Sequence, residues 1–241
     1  MTYNQVEFVI KFEWGINGVE MLAPVSDVII IVDILSFSTC VDIAVGRGAI
    51  VYPFKYKDES AAEYAKSFDA ELASHNRSSG SYSLSPSSLI NIANGTKLVL
   101  PSPNGATLSL VRSAAPVICG CLRNAKAVAE YAQRISKSIG NKIGVIAAGE
   151  RWKHDGSLRP AFEDLIGAGA IISYLKGSLS PESKSARNAF IAVQDLKTDL
   201  KNCSSGKDLI ELGFENDVNL ASEFNVSSVV PLLKENSYYS S

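Results

Sequence analysis

The stretch VSDVIIIVDILSFSTC, residues 25–40, decides the fold. Its middle, VIIIV, is an unbroken β-branched run, which is typical of a central strand covered on both faces. Asp33 ends this run, and a hydroxyl-rich turn with Ser36, Ser38 and Thr39 follows before an apolar helical pattern begins. Ser38 is a suitable N-cap for that helix. This order of strand, acid, turn and helix predicts an α/β sheet with a ligand site at the carboxyl end of the strand.

Two interpretations of Asp33 are open at this point. A carboxylate at the end of a buried strand is costly unless something pairs with it or uses it. The helix that follows offers free N–H groups and the positive end of its dipole to an anion. Asp33 is therefore either an acid beside an anion site or a cap for its own turn, since Asx-turns are common.

The same order of elements recurs along the chain. KLVLP precedes the tight turn SPNGAT, PVICGC precedes a long helical pattern, and KIGVIAAG precedes the polar loop GERWKHDGSLRP. The pattern predicts strands at 28–33, 97–101, 116–120 and 142–148. Strand–turn–helix units repeated this regularly indicate a three-layer α/β/α fold with a mostly parallel, mixed central sheet.

The domain organisation is simple. The length of 241 residues and the absence of a boundary in composition predict one domain over 1–241, with a more helical C-terminal part from about 181 to 241. A serine-rich stretch at 74–88 carries Arg77. We interpret it as an ordered loop over the sheet edge; a mobile lid is the second interpretation.

Composition excludes several classes of protein. Hydrophobic residues make up 46% of the chain, the formal net charge is -2, and no block of Lys and Arg appears. These features do not favour a nucleic-acid partner. No apolar run approaches the length of a membrane span. The four cysteines lie mostly in apolar surroundings, as reduced core thiols do, and we expect a cytoplasmic protein without a membrane partner.

Several familiar catalytic sites are missing from the sequence. It has no phosphate-binding G-x-x-x-x-G-K-[ST] loop and no G-x-S-x-G nucleophile elbow. Phosphatases that form an aspartyl-phosphate need an acid two residues after the nucleophile, and Leu35 stands there after Asp33. His75 and His154 lie alone in polar loops, where a histidine is more often solvated than catalytic.

A group of acids and anion donors survives this elimination, all predicted at one edge of the sheet. The acids are Asp33, Glu150, Glu163 and Asp164; the donors are Ser36, Ser38, Thr39, Asn104, Gly105, Thr107 and Asn124; the cations are Arg77, Arg123, Arg151 and Arg159. Carboxylates gathered beside a phosphate site usually hold Mg²⁺, which bridges substrate oxygens and neutralises developing charge. We therefore predict a Mg²⁺ cofactor and a small anionic phosphorylated substrate.

The ordered set of motifs resembles the 2-phosphosulfolactate phosphatase family. The motifs are DILSFSTC, SPNGAT, CLRNAKAVAEY, AAGERW, LRPAFEDLIGAGAII and GFENDVNLASEFNVSSVVP, spread from about Val28 to Pro231. The resemblance implies a three-layer fold with a mixed sheet and a Mg²⁺-dependent hydrolase that converts 2-phosphosulfolactate to sulfolactate and phosphate. In methanogens that step lies on the route to coenzyme M. A homodimer is also an expectation from the family.

The resemblance carries roles onto individual residues. The family's conserved positions match Asp33, Ser38, Thr39, Asn104, Gly105, Asn124, Gly149, Glu163 and Asp164. Asp33, Glu163 and Asp164 are then expected to be catalytic and to hold the metal. The expected substrate and phosphate contacts are Ser36, Ser38, Thr39, Arg77, Asn104, Gly105, Thr107, Asn124, Gly149, Glu150 and Arg151.

The sequence also departs from the family pattern. Ser36 replaces an arginine that is common at this position, SHNR only partly echoes a G-E-R stretch, and the GERWKHDGSLRP loop is longer than expected. Arginine binds an anion in a bidentate fork that serine cannot replace. We therefore expect either another arginine near Ser36, with Arg151 as first choice, or poor activity on 2-phosphosulfolactate. A phosphatase of the same family with another substrate and a non-catalytic binder of phosphorylated metabolites are the alternatives.

Overall fold

A computed structural model describes residues 2–55, 59–78 and 80–241 of the chain. In this part of the chain one sheet has nine strands. The strands are β1 (Ile10–Trp14), β2 (Val28–Val32), β3 (Ile50–Phe54), β4 (Glu71–Leu72), β5 (Lys97–Pro101), β6 (Val117–Gly120), β7 (Ile143–Ala147), β10 (Pro231–Lys234) and β11 (Ser237–Ser240); β8 (Glu150–Arg151) and β9 (Leu158–Arg159) form a separate hairpin. The spatial order in the large sheet is β1-β7-β2-β6-β10-β11-β3-β5-β4. All four predicted strands are confirmed as members of the large sheet.

Helices cover the sheet and fill the C-terminal third of the chain. They are α1 (Gly15–Leu22), α2 (Phe37–Gly46), α3 (Ser60–Ser67), α4 (Pro86–Leu89), α5 (Gly105–Ser109), α6 (Ala125–Ser136), α7 (Phe162–Tyr174), α8 (Pro181–Ala192), α9 (Leu196–Asn202), α10 (Ser204–Glu211) and α11 (Glu215–Ala221). None of the described helices is both long enough and apolar enough to cross a bilayer.

Strand β2 lies at the centre of the core because both of its faces are apolar. Val28, Ile30 and Val32 pack in the cluster that contains side chains of α6 and α7, whereas Ile29 and Ile31 pack in the cluster that contains side chains of α1. Side chains of a strand alternate between faces, so the β-branched run supplies both layers at once. The predicted three-layer α/β/α fold is confirmed.

The sheet is mixed because the C-terminal hairpin enters its middle. β1, β7, β2 and β6 pair in parallel, and so do β3, β5 and β4. Between these groups, β10 pairs antiparallel with β6 and β11 pairs antiparallel with β3. The mostly parallel, mixed character of the sheet is confirmed.

Candidate active site

Asp33 stands at the carboxyl end of β2, where a buried carboxylate is held by two backbone amides. The amide of Gly105 donates to Oδ2 at 2.7 Å, and the amide of Phe37 donates to Oδ1 at 3.2 Å. A Cβ atom on Gly105 would lie 2.7 Å from that Oδ2 and 2.4 Å from Cδ1 of Phe37. Only glycine therefore lets the start of α5 approach Asp33 this closely.

The hydroxyl groups after Asp33 serve the turn itself. Ser38 is fully buried, and its Oγ accepts the amide hydrogen of Asp33 at 2.7 Å, while Oγ1 of Thr39 donates to the carbonyl oxygen of Ile34 at 2.8 Å. Helix α2 begins at Phe37, so Ser36 rather than Ser38 occupies its N-cap position. The buried side chains of Ser38 and Thr39 fix the backbone around Asp33, and their expected contact with phosphate stays a prediction.

Asp164, in the first turn of α7, links two strand ends. One of its carboxylate oxygens accepts the amide hydrogen of Ile34 at 2.7 Å, and the other accepts that of Gly149 at 2.8 Å. Gly149 has φ +67°, and an added Cβ would lie 2.7 Å from Cδ1 of Leu158, so glycine is required there. Asp164 therefore braces the chain after β2 against the turn after β7, and its expected role as a metal ligand stays a prediction. The contact of Gly149 is likewise with Asp164.

Four carboxylates meet at this edge and repel one another: Asp33, Glu150, Glu163 and Asp164. Burial raises the pKa of Asp33 to about 6, its two amide donors oppose that rise, and the charge of Glu163 adds to it. Burial, followed by the charges of Asp33 and Glu163, raises the pKa of Glu150 to about 7. The buried Glu163 is thus close enough to Asp33 for its charge to act on that carboxyl group.

Asn104 and Thr107 join this group from the turn after β5. The side-chain nitrogen Nδ2 of Asn104 donates to Oε2 of Glu150 at 3.1 Å. Asn104, Thr107, Glu150 and Arg151 all line a small cavity of about 50 Å³. The structure therefore brings together these four of the predicted substrate contacts.

Arg77 is the cation beside Ser36. Its Nη2 donates to Oγ of Ser36 at 3.2 Å, and its Nη1 forms a salt bridge of 3.0 Å with Asp217. Asp217 is buried and also accepts hydrogen bonds from Oγ of Ser85 at 2.8 Å and the amide of Ser87 at 2.9 Å. Arg77 thus places a positive charge beside Ser36, and the buried carboxylate of Asp217 fixes the position of its guanidinium.

Arg151 was our first choice for that place, and the structure gives it another contact. Its Nη1 donates to the carbonyl oxygen of Gly156, within its own hairpin, at 3.1 Å. Arg159 donates from Nη2 to Oγ of Ser205 at 3.2 Å. Both arginines nevertheless line a cleft of about 550 Å³ together with Arg77 and Glu150. Three of the four candidate cations therefore face one cleft.

Arg123 and Asn124 lie outside this cleft and hold the C-terminal segment. Nε of Arg123 donates to Asp42 at 2.9 Å, and its Nη1 pairs with Glu223. Oδ1 of the fully buried Asn124 accepts the amide hydrogen of Cys121 at 2.8 Å, and its Nδ2 donates to Val229 at 3.1 Å. The side-chain amide of Asn124 joins the turn after β6 to the chain near Val229, and its expected contact with substrate stays a prediction.

Asp217 is the residue of this region that the sequence analysis missed. It lies in the first turn of α11, where an acid is commonly a cap residue, so its position alone does not indicate a site. The signal that could have found it is the pairing of a buried acid with a loop arginine far along the chain. Such a pairing is visible only once the fold is known.

The donor chemistry fits a hard divalent cation. Among the described residues no three His, Cys, Asp or Glu side chains are grouped closely enough to hold a metal ion by themselves. Mg²⁺ rarely needs such a cage, because one or two carboxylates, substrate phosphate oxygens and waters complete its coordination. Asp33 and Glu163 supply two carboxylates whose repulsion a cation would relieve. The residues thus fit Mg²⁺ held partly by substrate rather than by a preassembled set of three ligands.

Comparison with known proteins identifies the family. The model of the family described as 2-phosphosulpholactate phosphatase matches residues 19–236. The 2-phosphosulfolactate phosphatase of Methanothermobacter thermautotrophicus is 31% identical over 218 residues, covering 87% of this chain and 88% of that protein. A protein of Caldanaerobacter subterraneus named "Probable 2-phosphosulfolactate phosphatase" is 29% identical over 220 residues, covering 86% of this chain and 87% of its own. The chain therefore belongs to the 2-phosphosulfolactate phosphatase family.

Proposed function

We propose that this chain is a Mg²⁺-dependent phosphatase that hydrolyses a phosphate monoester of a small acidic hydroxy acid in the cytoplasm. The observation that carries the proposal is the pair of buried carboxylates, Asp33 and Glu163, at the end of the central strand beside the guanidinium of Arg77. Two acids that raise each other's energy are costly to keep unless they bind a cation. The membership of the chain in a phosphatase family supports the same reaction.

Asp33 and Glu163 would hold the ion, and Glu150 lies in their field. When bound, Mg²⁺ supplies charge stabilisation at the phosphoryl oxygens and a lowered pKa for coordinated water. Asp164 contributes indirectly, because its bonds to the amides of Ile34 and Gly149 fix the loops that carry Asp33 and Glu150. The chain thus provides both the carboxylates and the frame that keeps them together.

Positive charge orients the rest of the substrate. Arg77 directs its guanidinium toward Ser36 while Asp217 holds the other end of the fork. Because the Nη2–Ser36 contact is with a neutral hydroxyl, a substrate anion can compete for it with a stronger, charge-assisted bond. Arg77 thereby supplies, beside Ser36, the positive charge that an arginine at position 36 supplies in the family pattern.

Glu150 is the acid placed to handle a proton. Its pKa of about 7 lies near neutral pH, and Asn104 bonds Oε2 of its carboxyl group. A group with such a pKa can hold a proton and give it to the leaving alcohol oxygen at working pH. The products are then the free hydroxy acid and inorganic phosphate, with one water consumed.

The proposed substrate is 2-phosphosulfolactate, which would give sulfolactate and phosphate, the step on the route to coenzyme M in methanogens. The names of the relatives support this assignment. The presence of Ser36 in place of an arginine leaves room for a different hydroxy-acid phosphate. A homodimer, and the absence of a nucleic-acid partner, stay predictions.

Phosphate release is the test. Purified protein would be stripped with a chelator and assayed on 2-phosphosulfolactate, phospholactate and phosphoglycolate with and without added Mg²⁺. We expect turnover only with Mg²⁺, restored by titrating the ion back. Binding of these esters without phosphate release at any Mg²⁺ concentration would contradict the proposal and favour a non-catalytic binding protein.

A further inference from the structure

Arg159 is a cation of the cleft whose charge no acid neutralises. It lines the 550 Å³ cleft together with Glu150 and Arg77, and its side chain is only partly exposed. Within residues 2–55, 59–78 and 80–241, no carboxylate forms a salt bridge with its guanidinium. A partly buried guanidinium without a counter-ion can bind an anion that enters the cleft through charge-assisted hydrogen bonds.

The hairpin β8–β9 places Arg159 directly across from Glu150, because these two residues are partners in its antiparallel register. Directly opposed side chains of such a pair lie on the same face, with Cβ atoms about 4.5–5.5 Å apart. Burial is the largest influence on the pKa of Glu150 and raises it, and the nearby charge of Arg159 acts in the opposite direction. The cation is therefore held at a short, fixed distance from the acid that we assign to the leaving alcohol oxygen.

Both side chains of this pair are held from outside the hairpin by neutral groups. Nδ2 of Asn104 donates to Oε2 of Glu150 at 3.1 Å, and Nη2 of Arg159 donates to Oγ of the nearly buried Ser205 at 3.2 Å. In the part of the chain that the structure describes, Nη2 is the one nitrogen of this guanidinium that makes a hydrogen bond. Ser205 thus orients the guanidinium while its other N–H groups stay open to an anion.

We propose that Arg159 is a specificity-determining residue, which binds the carboxylate of a hydroxy acid whose phosphate is attached to the carbon next to that carboxylate. The proposal rests on the proposed phosphatase function, because it takes Glu150 as the proton donor to the ester oxygen. In a 2-phospho hydroxy acid one carbon bears both the ester oxygen and the carboxylate, which matches an acid and a cation at opposed positions of one hairpin. In a 3-phospho isomer an extra methylene group moves the carboxylate away from Arg159. Arg77, whose charge acts on Asp33, is left for a further acidic group of the substrate.

Two isomeric phosphonates test this geometry without turnover, because a methylene group replaces the ester oxygen. 2-Methyl-3-phosphonopropanoate imitates 2-phospholactate, and 4-phosphonobutanoate imitates 3-phosphooxypropanoate; the two have the same atoms and the same charge. Calorimetry with Mg²⁺ present would measure both affinities, with methylphosphonate as the probe that has no carboxylate. We expect the branched isomer to bind about tenfold more tightly than the linear one, because a charge-assisted hydrogen bond is worth about ten- to a hundredfold in affinity.

Variants of Arg159 assign the preference to this residue. Arg159→Met should weaken binding of the branched isomer about tenfold and bring the ratio of the two affinities close to one, whereas binding of methylphosphonate should change much less. Arg159→Lys, which keeps the charge but loses the planar fork, should retain part of the preference. Arg134→Met, at an exposed arginine of α6, is the matched control and should keep the ratio.

Equal affinities of the two isomers in the parent protein, or a ratio that persists in Arg159→Met, would overturn the role of Arg159. An equal loss of affinity for all three phosphonates in Arg159→Met would also overturn it, because the residue would then support the fold or the phosphate alone. Normal phosphate release without a preference between the isomers refutes this specificity and leaves the phosphatase standing. A preference that Arg159→Met abolishes, in a protein that releases no phosphate from either ester, supports the binding role and refutes hydrolysis.

Discussion

Asp33 shows how one side chain can combine a structural and a chemical role. Its two amide partners are the kind that cap a turn, which was the simpler interpretation of this residue. Yet the neighbouring charge of Glu163 and the burial of the carboxylate raise its pKa to about 6, a cost that a pure cap would not carry. The residue is therefore a cap that also faces other acids, and the two interpretations are compatible.

Replacing Asp33 tests the chemical role. Asp33→Asn keeps the shape of the side chain but removes one ligand charge, so we expect Mg²⁺-dependent phosphate release to fall by about two orders of magnitude. Circular dichroism should show the folded protein, and Asp69→Asn, at an exposed aspartate outside the cleft, is the matched control. A rate that equals the parent's at saturating Mg²⁺ would remove Asp33 from the mechanism.

Glu150 predicts a pH dependence of stability in the metal-free protein. Its folded pKa of about 7 lies above the ordinary value of 4.5 for a glutamate, so between these pH values the folded chain binds more protons than the unfolded chain. The free energy of unfolding should therefore fall as pH rises from about 4.5 to 7, by up to about 3 kcal/mol from this residue. Asp33, with its pKa raised from 3.8, acts in the same direction.

Glu150→Gln isolates this contribution. Denaturant unfolding with a chelator present would be compared for the parent and the variant across that pH range. We expect the variant to gain stability relative to the parent as pH rises, because it has no carboxylate to ionise. A stability difference that does not change between pH 4.5 and 7 would show that Glu150 ionises normally.

The sequence could identify the acids, but it could not show whether the small polar side chains contact a ligand or the backbone. Asp33, Glu163 and Asp164 stood out because charged groups at the ends of buried elements are unusual. Ser38, Thr39 and Asn124 were also named, yet their side chains bond the backbone. Ser, Thr and Asn make the same local turn contacts whether or not a ligand is near, so local pattern cannot separate the two uses.

At the scale of elements, the serine-rich loop and α11 act as one unit. Arg77 reaches from the loop to Asp217 at the start of α11, and Ser85 and Ser87 bind the same carboxylate. Asp217 thereby binds three residues of the serine-rich stretch, Arg77, Ser85 and Ser87. This supports the ordered-loop interpretation over the lid for the described residues of 74–88; Ser79 lies outside them.

Arg77→Met should separate binding from turnover. The variant keeps the apolar length of the side chain but loses the charged fork, so we expect KM for an acidic phosphate ester to rise by about one to two orders of magnitude. The effect on kcat should be smaller, since Arg77 orients the substrate rather than the reacting water. Arg112→Met, at an exposed arginine outside the cleft, is the matched control. An unchanged KM would show that the cation near Ser36 does not bind substrate.

At the scale of the whole molecule, the C-terminal hairpin joins two parallel half-sheets. β6 belongs to one half and β3 to the other, and β10 and β11 fill the space between them. The local pattern predicted β2, β6 and β7, the strands of the first half that are followed by a site loop. It could not place the C-terminal hairpin between the two half-sheets. Pairing partners far apart in sequence leave no periodic signal, which explains why the parallel units were predictable and their junction was not.

This junction is linked to the candidate active site through a chain of hydrogen bonds. The hydroxyl of the fully buried Tyr238 donates to Oγ of Ser109 at 2.7 Å, and Ser109 donates to the carbonyl oxygen of Gly105 at 2.7 Å. The amide of Gly105 then donates to Asp33. The last strand of the chain therefore supports the helix start that fixes the first acid of the site.

A double-mutant cycle on Tyr238 and Ser109 tests this link. Tyr238→Phe should lower the free energy of unfolding by about 1 kcal/mol, and Ser109→Ala by about 1–3 kcal/mol because it leaves the buried hydroxyl of Tyr238 without an acceptor. The double variant should be less destabilised than the sum, with a coupling of about 1 kcal/mol, since the second change removes a group already orphaned. Phosphate release should fall in Ser109→Ala more than in Tyr238→Phe, because Ser109 contacts Gly105 directly. Strictly additive losses of stability, with activity equal in both variants, would show that the hairpin and the site are energetically independent.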